Sequence, residues 1–360
     1  MENLVYSVGA AIIGLGLLIV FHEFGHFLLA KLCGVGVLTF SVGVGPKLWV
    51  KKKGETEYAL SAFPLGGYVK MVGEDPDEEV RTEDVEKSFA HKSLLKRIAI
   101  VVAGPGFNLL LALFLLMIVF TFYGVPVMST QVSGVEKGSP AERAGIAKGD
   151  RIVAIDGKPV KEWDELSKTI KASGGKPLNL QISRGSETVS LTVQPIQKEG
   201  RTVFGERKDD WIIGIGSQVS IEKGNPGLAV VRAFYQTYDY SKLTLVALFK
   251  MISGDVSPRN IGGPILIAQM AGQQAQEGLG SFLAFLAVLS INLGVLNLLP
   301  VPVLDGGHLL FFLVEAVIRK PVSVKYREMA QQVGICLLAL LMIYAFYNDI
   351  VRFFEKQVGG

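Results

Sequence analysis

Long apolar stretches with few or no charges alternate along this chain with segments that mix charged residues, glycine and short alternating patterns. Four of the apolar stretches cover most or all of a hydrocarbon core of about 30 Å at the helical rise of about 1.5 Å per residue. They are residues 4–32, 98–126, 282–304 and 332–347. The pattern predicts four transmembrane helices, of which the first and third run in the same direction.

The segments between these stretches predict other structures. Residues 37–50 and 57–71 have β-rich, partly alternating composition around a polar turn at 51–54, which predicts a hairpin. The acid-rich stretch 74–86 predicts a solvated loop. Residues 226–252 mix apolar and charged residues, and their uncharged runs are too short to span a membrane. They predict either an interfacial amphipathic helix, which could gate substrate entry, or a plain linker helix.

Residues 127–221 are richer in charge and glycine and have the length of one small domain. Short strands are predicted within them at 178–183 and 188–193. The chain therefore divides into a first membrane part at 1–126, this inserted domain, an amphipathic segment at 222–280 and a second membrane part at 281–360.

Composition agrees with a membrane protein that carries a soluble domain. Hydrophobic residues make up 49% of the chain and the mean hydropathy is +0.39, while 19% of residues are charged. The first apolar stretch has no basic start, unlike a removable signal peptide. Cys33 and Cys336 give no disulfide framework, and the net charge of +3 gives no indication of nucleic-acid binding.

The distribution of lysine and arginine predicts the orientation in the membrane. The segment before the first span has neither residue, whereas basic residues follow the first span, precede the second and lie between the third and fourth. They include Lys31, Lys47, Lys51, Lys52, Lys53, Lys92, Lys96, Arg97, Arg319, Lys320, Lys325 and Arg327. Both termini and the inserted domain are therefore expected outside, and the ends of spans one and three at the cytoplasmic side.

The chemistry begins with the sequence His22-Glu23-Phe-Gly-His26 near the end of the first span. Residues four apart on an α-helix project from one face, so the two imidazoles can hold one metal ion. Glu23 then lies beside the metal, where it can act on a bound water. Ionisable side chains at membrane depth are costly and usually functional.

A catalytic zinc needs a third protein ligand, and residues 27–54 contain no acidic residue that could supply it. The best candidate is Asp305, at the end of the third span. Pro300 and Pro302 interrupt a regular helix and Gly306-Gly307 allow tight turning, so Asp305 is expected on irregular backbone at membrane depth. The alternative is an aspartate that caps a helix at the membrane boundary. His308 is expected to be a neighbour of the site rather than a ligand.

These residues resemble the site-2 protease family of intramembrane metalloproteases, and within it the regulator of sigma-E protease (RseP) group. The resemblance covers essentially the whole chain and rests on four motifs in order: His22-Glu-x-x-His26, Phe63-Pro-Leu-Gly-Gly-Tyr-Val-Lys-Met71, Ala103-Gly-Pro-x-x-Asn108, and Asn297 through Asp305-Gly-Gly307. It implies that His22, His26 and Asp305 ligate Zn²⁺ and that Glu23 is the general base. Asn297 is then expected to hydrogen-bond the substrate or the developing oxyanion.

The resemblance also implies how substrates are held. The β region would be a membrane-associated sheet, with Gly67, Tyr68 and Asn108 as substrate-binding residues, whose edge accepts an extended peptide. An ordinary cytoplasmic hairpin is the alternative. Residues 138–157 resemble the core of bacterial PDZ domains, and Gly214 and Ile215 are expected in the peptide-binding strand and loop. The longest proteins of the group carry two such domains, whereas this chain has room for one.

The expected fold is thus a polytopic α-helical membrane protein with four transmembrane helices, a membrane-associated β-hairpin or sheet and an inserted α+β PDZ-like domain. The expected protein is a zinc metalloendopeptidase of the bacterial inner membrane. Its partners would be membrane lipid, a peptide ligand of the PDZ-like domain, and single-span substrates such as anti-sigma factors or remnant signal peptides. A membrane metal carrier or an inactive PDZ scaffold are the alternatives, and Glu23 argues against a carrier because a carrier needs no base beside its ligands.

Overall fold

The computed structural model describes residues 2–74, 81–201, 207–222 and 225–358. The chain forms two compact units. The first comprises Met1–Val119, Pro226–Phe249 and Ser257–Gly360, and the second comprises Phe120–Asn225 and Lys250–Val256. Part of the predicted loop at 74–86 lies outside the described residues, and a 3₁₀ helix follows at Thr82–Lys87.

Within the described residues the helices are α1 (Glu2–Leu32), α2 (Leu94–Phe122), α3 (Pro140–Arg143), α4 (Trp163–Ala172), α5 (Pro226–Ile252), α6 (Pro264–Glu277), α7 (Leu279–Asn297), α8 (Asp305–Ile318) and α9 (Val324–Val358). The strands are β1 (Val37–Lys53), β2 (Thr56–Met71), β3 (Val125–Val135), β4 (Arg151–Ile155), β5 (Lys158–Pro159), β6 (Leu178–Arg184), β7 (Glu187–Val193), β8 (Ile196–Arg201), β9 (Arg207–Ile212) and β10 (Ile215–Glu222). A second 3₁₀ helix spans Pro258–Asn260.

Four helices of the described chain are long and apolar enough to cross a membrane, as the hydropathy pattern predicts. They are α1, α2, α7 and α9, with candidate spans Val5–Leu32, Leu94–Phe122, Leu279–Asn297 and Val324–Glu355. The predicted end of the second span at residue 126 is wrong, because Gly124 takes φ +84° and turns the chain into β3. The fourth helix extends well beyond 332–347, since charged residues at both ends continue it.

The third span ends earlier than the predicted residue 304, and the chain after it forms an irregular segment followed by a new helix. Helix α7 stops at Asn297, residues 298–304 are irregular, and Asp305 is the first residue of α8. Pro300 and Pro302 account for the break, because proline lacks the N–H that a continuing helix needs. The expectation that Asp305 itself lies on irregular backbone is therefore corrected: it starts a new helix.

The hairpin of β1 and β2 is folded a second time. Residues 56–61 pair with 47–53 on one side and, through residues 57–60, with 39–42 on the other. Residues 67–71 pair with the opposite side of 37–42. The result is an antiparallel sheet of four segments in the order 47–53, 56–61, 37–44, 63–71. Gly43 and Gly45 take φ +89° and +90° at the inner bend, where residues with a Cβ are strained.

This sheet follows α1 along much of its length. At one end Lys31 Nζ lies 2.9 Å from Glu55 Oε1 in the turn between β1 and β2. At the other end a Cβ built on Gly16 would lie 3.1 Å from the carbonyl oxygen of Pro64. Fifteen residues of helix separate Lys31 from Gly16, which is about 22 Å of axial distance. The sheet therefore runs beside a helix of membrane-spanning length rather than only at its end.

The N-terminus of α6 is capped by a side chain of α9. The carboxylate of Asp349, with 4% of the residue exposed, accepts hydrogen bonds from the backbone N–H groups of Gly263, Ile265 and Leu266 at 2.9, 2.9 and 3.1 Å. These N–H groups have no partner within a helix, so the aspartate serves as an N-terminal cap supplied by another element.

The second unit is an antiparallel sheet covered by α4. The strands lie in the order β10-β3-β4-β6-β7, β5 pairs with β4, and β8 and β9 form a separate two-stranded sheet. Helix α4 buries Leu166 and Ile170, one turn apart, in a core that includes Ile152, Leu180 and Ile182. The predicted strands at 178–183 and 188–193 correspond to β6 and β7.

An ion pair with a buried carboxylate joins the residue before β4 to the end of β6. Asp150, whose side chain is 2% exposed, accepts hydrogen bonds from Arg184 Nε and Nη2 at 2.8 Å each and from the Ala147 N–H at 2.8 Å. The guanidinium, with the backbone N–H, holds the pKa of the Asp150 carboxyl below its usual range.

Candidate metal centre

Two histidines face each other near the middle of the second half of α1. His22 and His26 are 8% and 9% exposed, and their Nε2 atoms lie 3.2 Å apart. The four-residue spacing places both rings on one helix face, as the sequence predicts. Ten residues, or about 15 Å of helix, separate His22 from the end of α1 at Leu32.

Asp305 reaches this pair from the other end of the chain. Its Oδ2 lies 3.1 Å from His22 Nε2 and its Oδ1 lies 3.5 Å from His26 Nε2. Oδ2 is buried and has no hydrogen-bond partner of acceptable geometry among the described residues, despite the short distance to His22. A buried carboxylate oxygen that no donor satisfies is a strong indication of a cation.

The spacing of these donor atoms fits a zinc ion. Zinc is bound tetrahedrally at about 2.0–2.1 Å by histidine nitrogen and carboxylate oxygen, so two of its ligand atoms are about 3.3 Å apart. The 3.2 Å between the two histidine nitrogens lies close to that value, and so do the 3.1 and 3.5 Å from His22 and His26 to Oδ2 and Oδ1 of Asp305. Two histidines and one carboxylate are also a ligand set typical of catalytic zinc, which keeps a fourth position for water or substrate.

Helix α2 has a glycine, Gly104, where it faces the two imidazoles, and this leaves space for the ion. A Cβ built on Gly104 would lie 2.9 Å from His22 Cε1 and closer still to the ring of His26. Gly25 of α1 in turn packs directly on the backbone of Ala103. Two glycines at this crossing therefore bring the helices close together and keep the space beside the imidazoles open.

The second nitrogen of each histidine also has a partner on α2. His26 Nδ1 lies 2.9 Å from the carbonyl oxygen of Ile100, and His22 Nδ1 lies 3.1 Å from the side-chain amide of Asn108. Pro105 cannot donate a backbone hydrogen bond within α2, which loosens the helix at this point. Such outer contacts orient metal-binding imidazoles.

Glu23 lies between the histidines and the sheet. It is partly buried, and the backbone of Val69 in β2 lies close to its carboxylate. A Cβ built on Gly67 would lie 3.3 Å from Glu23 Cγ. The glycine therefore lets the outer segment 63–71 of the sheet pass directly beside this carboxylate.

A cavity of about 880 Å³ opens from these groups. The proposed metal ligands, Glu23 and Asn297 all line it, with Asn297 at the end of α7. Further along, Arg97 forms a two-pronged ion pair with Glu315, at 3.1 Å and 2.5 Å. His308 also lines the cavity, but the group of metal-binding side chains found in the described residues contains only His22, His26 and Asp305.

The predicted substrate-binding residues fall in different places. Gly67 lies beside Glu23, whereas Tyr68 is not among the residues that line the described cavity. Asn108 is 0% exposed behind His22, where a substrate has no access to it. The sequence reasoning also missed Gly104 and Ile100, although the motif Ala103-Gly-Pro-x-x-Asn108 contained the signal for Gly104.

Gly214 and Ile215 belong to a separate groove within the second unit. It has a volume of about 340 Å³ and is lined by the start of β10 and by α4, including Trp163, Leu166 and Ile170. Gly214 takes φ +82°, and a Cβ there would meet Ser139. Among the strands that the structure describes, β10 is at the edge of its sheet, so one side of its backbone pairs with none of them.

Sequence comparison matches residues 10–341 to the family described as Peptidase family M50. A Rhizobium meliloti protein, provisionally named a zinc metalloprotease, is 37% identical over 97% of this chain and 98% of its own length. The protein named Protease RseP of Yersinia pestis is 33% identical over 98% of this chain and its full length. The Regulator of sigma-E protease RseP of Salmonella typhimurium is 32% identical over the same shares.

Proposed function

Because the chain belongs to peptidase family M50 and is a zinc metalloprotease, we propose that it hydrolyses peptide bonds in single-span membrane proteins at the site formed by His22, His26 and Asp305. The observation that carries this proposal is the spacing of those three donors beside the carboxylate of Glu23, on a helix long enough to cross a membrane. A carrier of metal ions has no use for a base in that position.

The residues of the site divide the work of hydrolysis. His22, His26 and Asp305 hold the zinc, which when bound polarises a carbonyl and makes a water more acidic. Glu23 takes the proton of the attacking water and returns it to the nitrogen of the leaving amine. Asn297 donates a hydrogen bond to the carbonyl oxygen, where negative charge develops.

The sheet provides a way to present the peptide. A transmembrane helix hides its carbonyls in its own hydrogen bonds, so the segment to be cut has to unwind. The outer segment 63–71 lies at the edge of the sheet and passes beside Glu23, which supports addition of the unwound substrate as a further strand. In this arrangement Gly67 is a contact of the substrate backbone, and Tyr68 contacts a side chain of the added strand.

The second unit is assigned the role of a PDZ-like peptide-binding domain. The open edge of β10 and the apolar groove beside α4 support binding of an extended peptide, with Gly214 and Ile215 at the start of that strand. Its ligand would have an apolar side chain to fill the groove between Leu166 and Ile170.

The names of the relatives suggest the substrate class. Two of them are called RseP, one as a regulator of sigma-E. By that likeness the substrates are anti-sigma factors already shortened by an outer protease, or remnant signal peptides. The basic residues around the ends of α1 and α2 support a location in the bacterial inner membrane with the metal centre toward the cytoplasm and the PDZ-like domain outside.

Cleavage of a panel of tagged single-span proteins by the purified protein in detergent tests the proposal. Wild type is expected to produce fragments, whereas Glu23→Gln and wild type treated with a zinc chelator are expected to produce none. Glu277→Gln in α6 makes the same chemical change away from the centre and should cleave like wild type. Glu23→Gln should still bind zinc. If it cleaved at the wild-type rate, Glu23 would have no part in the chemistry.

A further inference from the structure

Asn108 is a fully buried polar residue that hydrolysis itself does not use. It is 0% exposed on α2, and its side-chain amide contacts His22 Nδ1 at 3.1 Å. We propose that Asn108 is a positioning residue: its amide oxygen accepts the Nδ1 proton of His22 and thereby keeps the Nε2 lone pair of that histidine available to zinc. This inference rests on the zinc site described above, but not on the identity of the substrate.

The requirement comes from the chemistry of imidazole. A neutral imidazole has one N–H, and a metal bonds to the nitrogen that lacks it, so a histidine bound through Nε2 has its proton on Nδ1. Leaving that N–H buried without an acceptor is unfavourable, because the desolvated donor has nothing to replace the water it lost. His26 has the carbonyl oxygen of Ile100 as its acceptor, at 2.9 Å. For His22 the side chain found in the corresponding position is Asn108.

The orientation of the Asn108 amide decides which ring nitrogen of His22 carries the proton and which keeps a lone pair for the metal. In the structure Asn108 Nδ2 faces His22, and Oδ1 is buried with no partner among the described residues. That orientation places an N–H against Nδ1 and leaves the histidine proton on Nε2, between His26 and Asp305. A half-turn of the amide exchanges two atoms of nearly equal size and presents Oδ1 as an acceptor. Zinc binding and this second orientation therefore favour each other.

Contacts with α7 fix the position of Asn108 but leave its side-chain amide able to turn. Ser290 of α7 donates its hydroxyl hydrogen bond to the Asn108 carbonyl oxygen at 2.7 Å. A Cβ on Gly294, one turn further along α7, would lie 3.4 Å from Asn108 Cβ. The residue is thus packed between two membrane helices, with only the end of its side chain directed at the histidine.

Zinc affinity, measured by competition with a chelator of known affinity, tests the proposal without any substrate. Asn108→Leu keeps the approximate volume but removes the acceptor, and is expected to weaken zinc binding about 10- to 100-fold. Asn108→Asp has the same shape and keeps an acceptor, so its affinity should stay within about threefold of wild type or exceed it. Asn292→Leu is the matched control on α7, where Asn292 accepts a hydrogen bond from Thr244 at 2.7 Å.

The visible spectrum of the cobalt-substituted protein provides a second readout, since it reports ligand geometry directly. It should change in Asn108→Leu and keep the wild-type form in Asn108→Asp and Asn292→Leu. Thermal unfolding of each metal-free variant checks that it folds; if Asn108→Leu does not, Asn108→Ala removes the acceptor without adding bulk. Wild-type affinity in the folded Leu or Ala variant, or equal loss in Asn108→Asp, would overturn the proposal. A wild type that binds zinc in this pattern yet cleaves no substrate would overturn only the proposed function.

Discussion

Substitution of Gly104 by alanine offers a direct test of how closely α2 fits the metal centre. The new Cβ would lie 2.5 Å from His26 Cε1 and 2.9 Å from His22 Cε1. Ordinary contacts between carbon atoms are about 3.5–4.0 Å, so the ring of His26 has to retreat by about 1 Å. A zinc–nitrogen bond of about 2.0 Å tolerates a displacement of only about 0.2 Å. Gly104→Ala is therefore incompatible with both histidines remaining ligands.

The expected loss of zinc affinity in Gly104→Ala can be estimated from the displacement of one ligand, His26. Disturbing only the partners of zinc ligands weakens binding about 10- to 100-fold, so direct displacement of a ligand should reach at least the upper end of that range. A 100-fold loss corresponds to about 2.7 kcal/mol of binding free energy. The metal-free protein should lose about 1–3 kcal/mol of stability from overpacking, and its fold should remain.

Gly106 provides a matched control on the same helix. A Cβ built there meets no atom within 4 Å, so Gly106→Ala should bind zinc and cleave substrate like wild type. Both variants would be purified in detergent and compared by elemental zinc content, chelator competition and cleavage rate. If Gly104→Ala retained zinc as firmly as Gly106→Ala, the inference that the missing side chain makes room for the ion would be refuted.

Three further changes probe other contacts. Gly67→Ala places a Cβ 2.9 Å from the carbonyl oxygen of Ser41 and 3.3 Å from Glu23 Cγ, so the outer segment 63–71 has to shift beside Glu23. Cleavage should therefore fall while zinc content stays at the wild-type level; reduced zinc content would instead indicate a disturbed metal centre. Asp349→Ala leaves three N–H groups at the start of α6 without an acceptor and should lower the free energy of unfolding by about 1–3 kcal/mol in a denaturation experiment. Asp150→Asn should destabilise the second unit by about 1–3 kcal/mol at neutral pH, because it loses the charge that Arg184 pairs with. Since the folded-state pKa of Asp150 is lowered, its contribution is complete above the pKa of an unfolded aspartate and is lost as the pH falls through the folded value. Wild type and Asp150→Asn should therefore converge in stability at strongly acidic pH, and a constant difference would contradict this account.

The amino-acid sequence by itself determined the features that depend on one element at a time. Four apolar stretches predict four helices of membrane-spanning length, and the structure confirms them within the described residues, apart from their ends. The spacing of His22 and His26 places both rings on one face because a helix repeats every 3.6 residues. The motifs also identify the family, and the comparisons confirm that identification. Local periodicity and short motifs are sufficient for each of these conclusions.

Tertiary structure decided whatever depends on which surfaces meet. The β1–β2 hairpin folds into four segments because residues 39–42 pair with residues 57–60 on one side and with residues 67–70 on the other. The alternation of polar and apolar residues in the sequence does not distinguish that pairing from a simple hairpin. Asp305 became a neighbour of the histidine pair only through the packing of helices from opposite ends of the chain. Asn108 was predicted to bind substrate, but it is buried behind His22. Gly104 matters because it has no side chain that would collide with the imidazoles of His22 and His26. A sequence lists side chains, whereas the space between them, and the direction from which each is approached, exists only once the helices are packed.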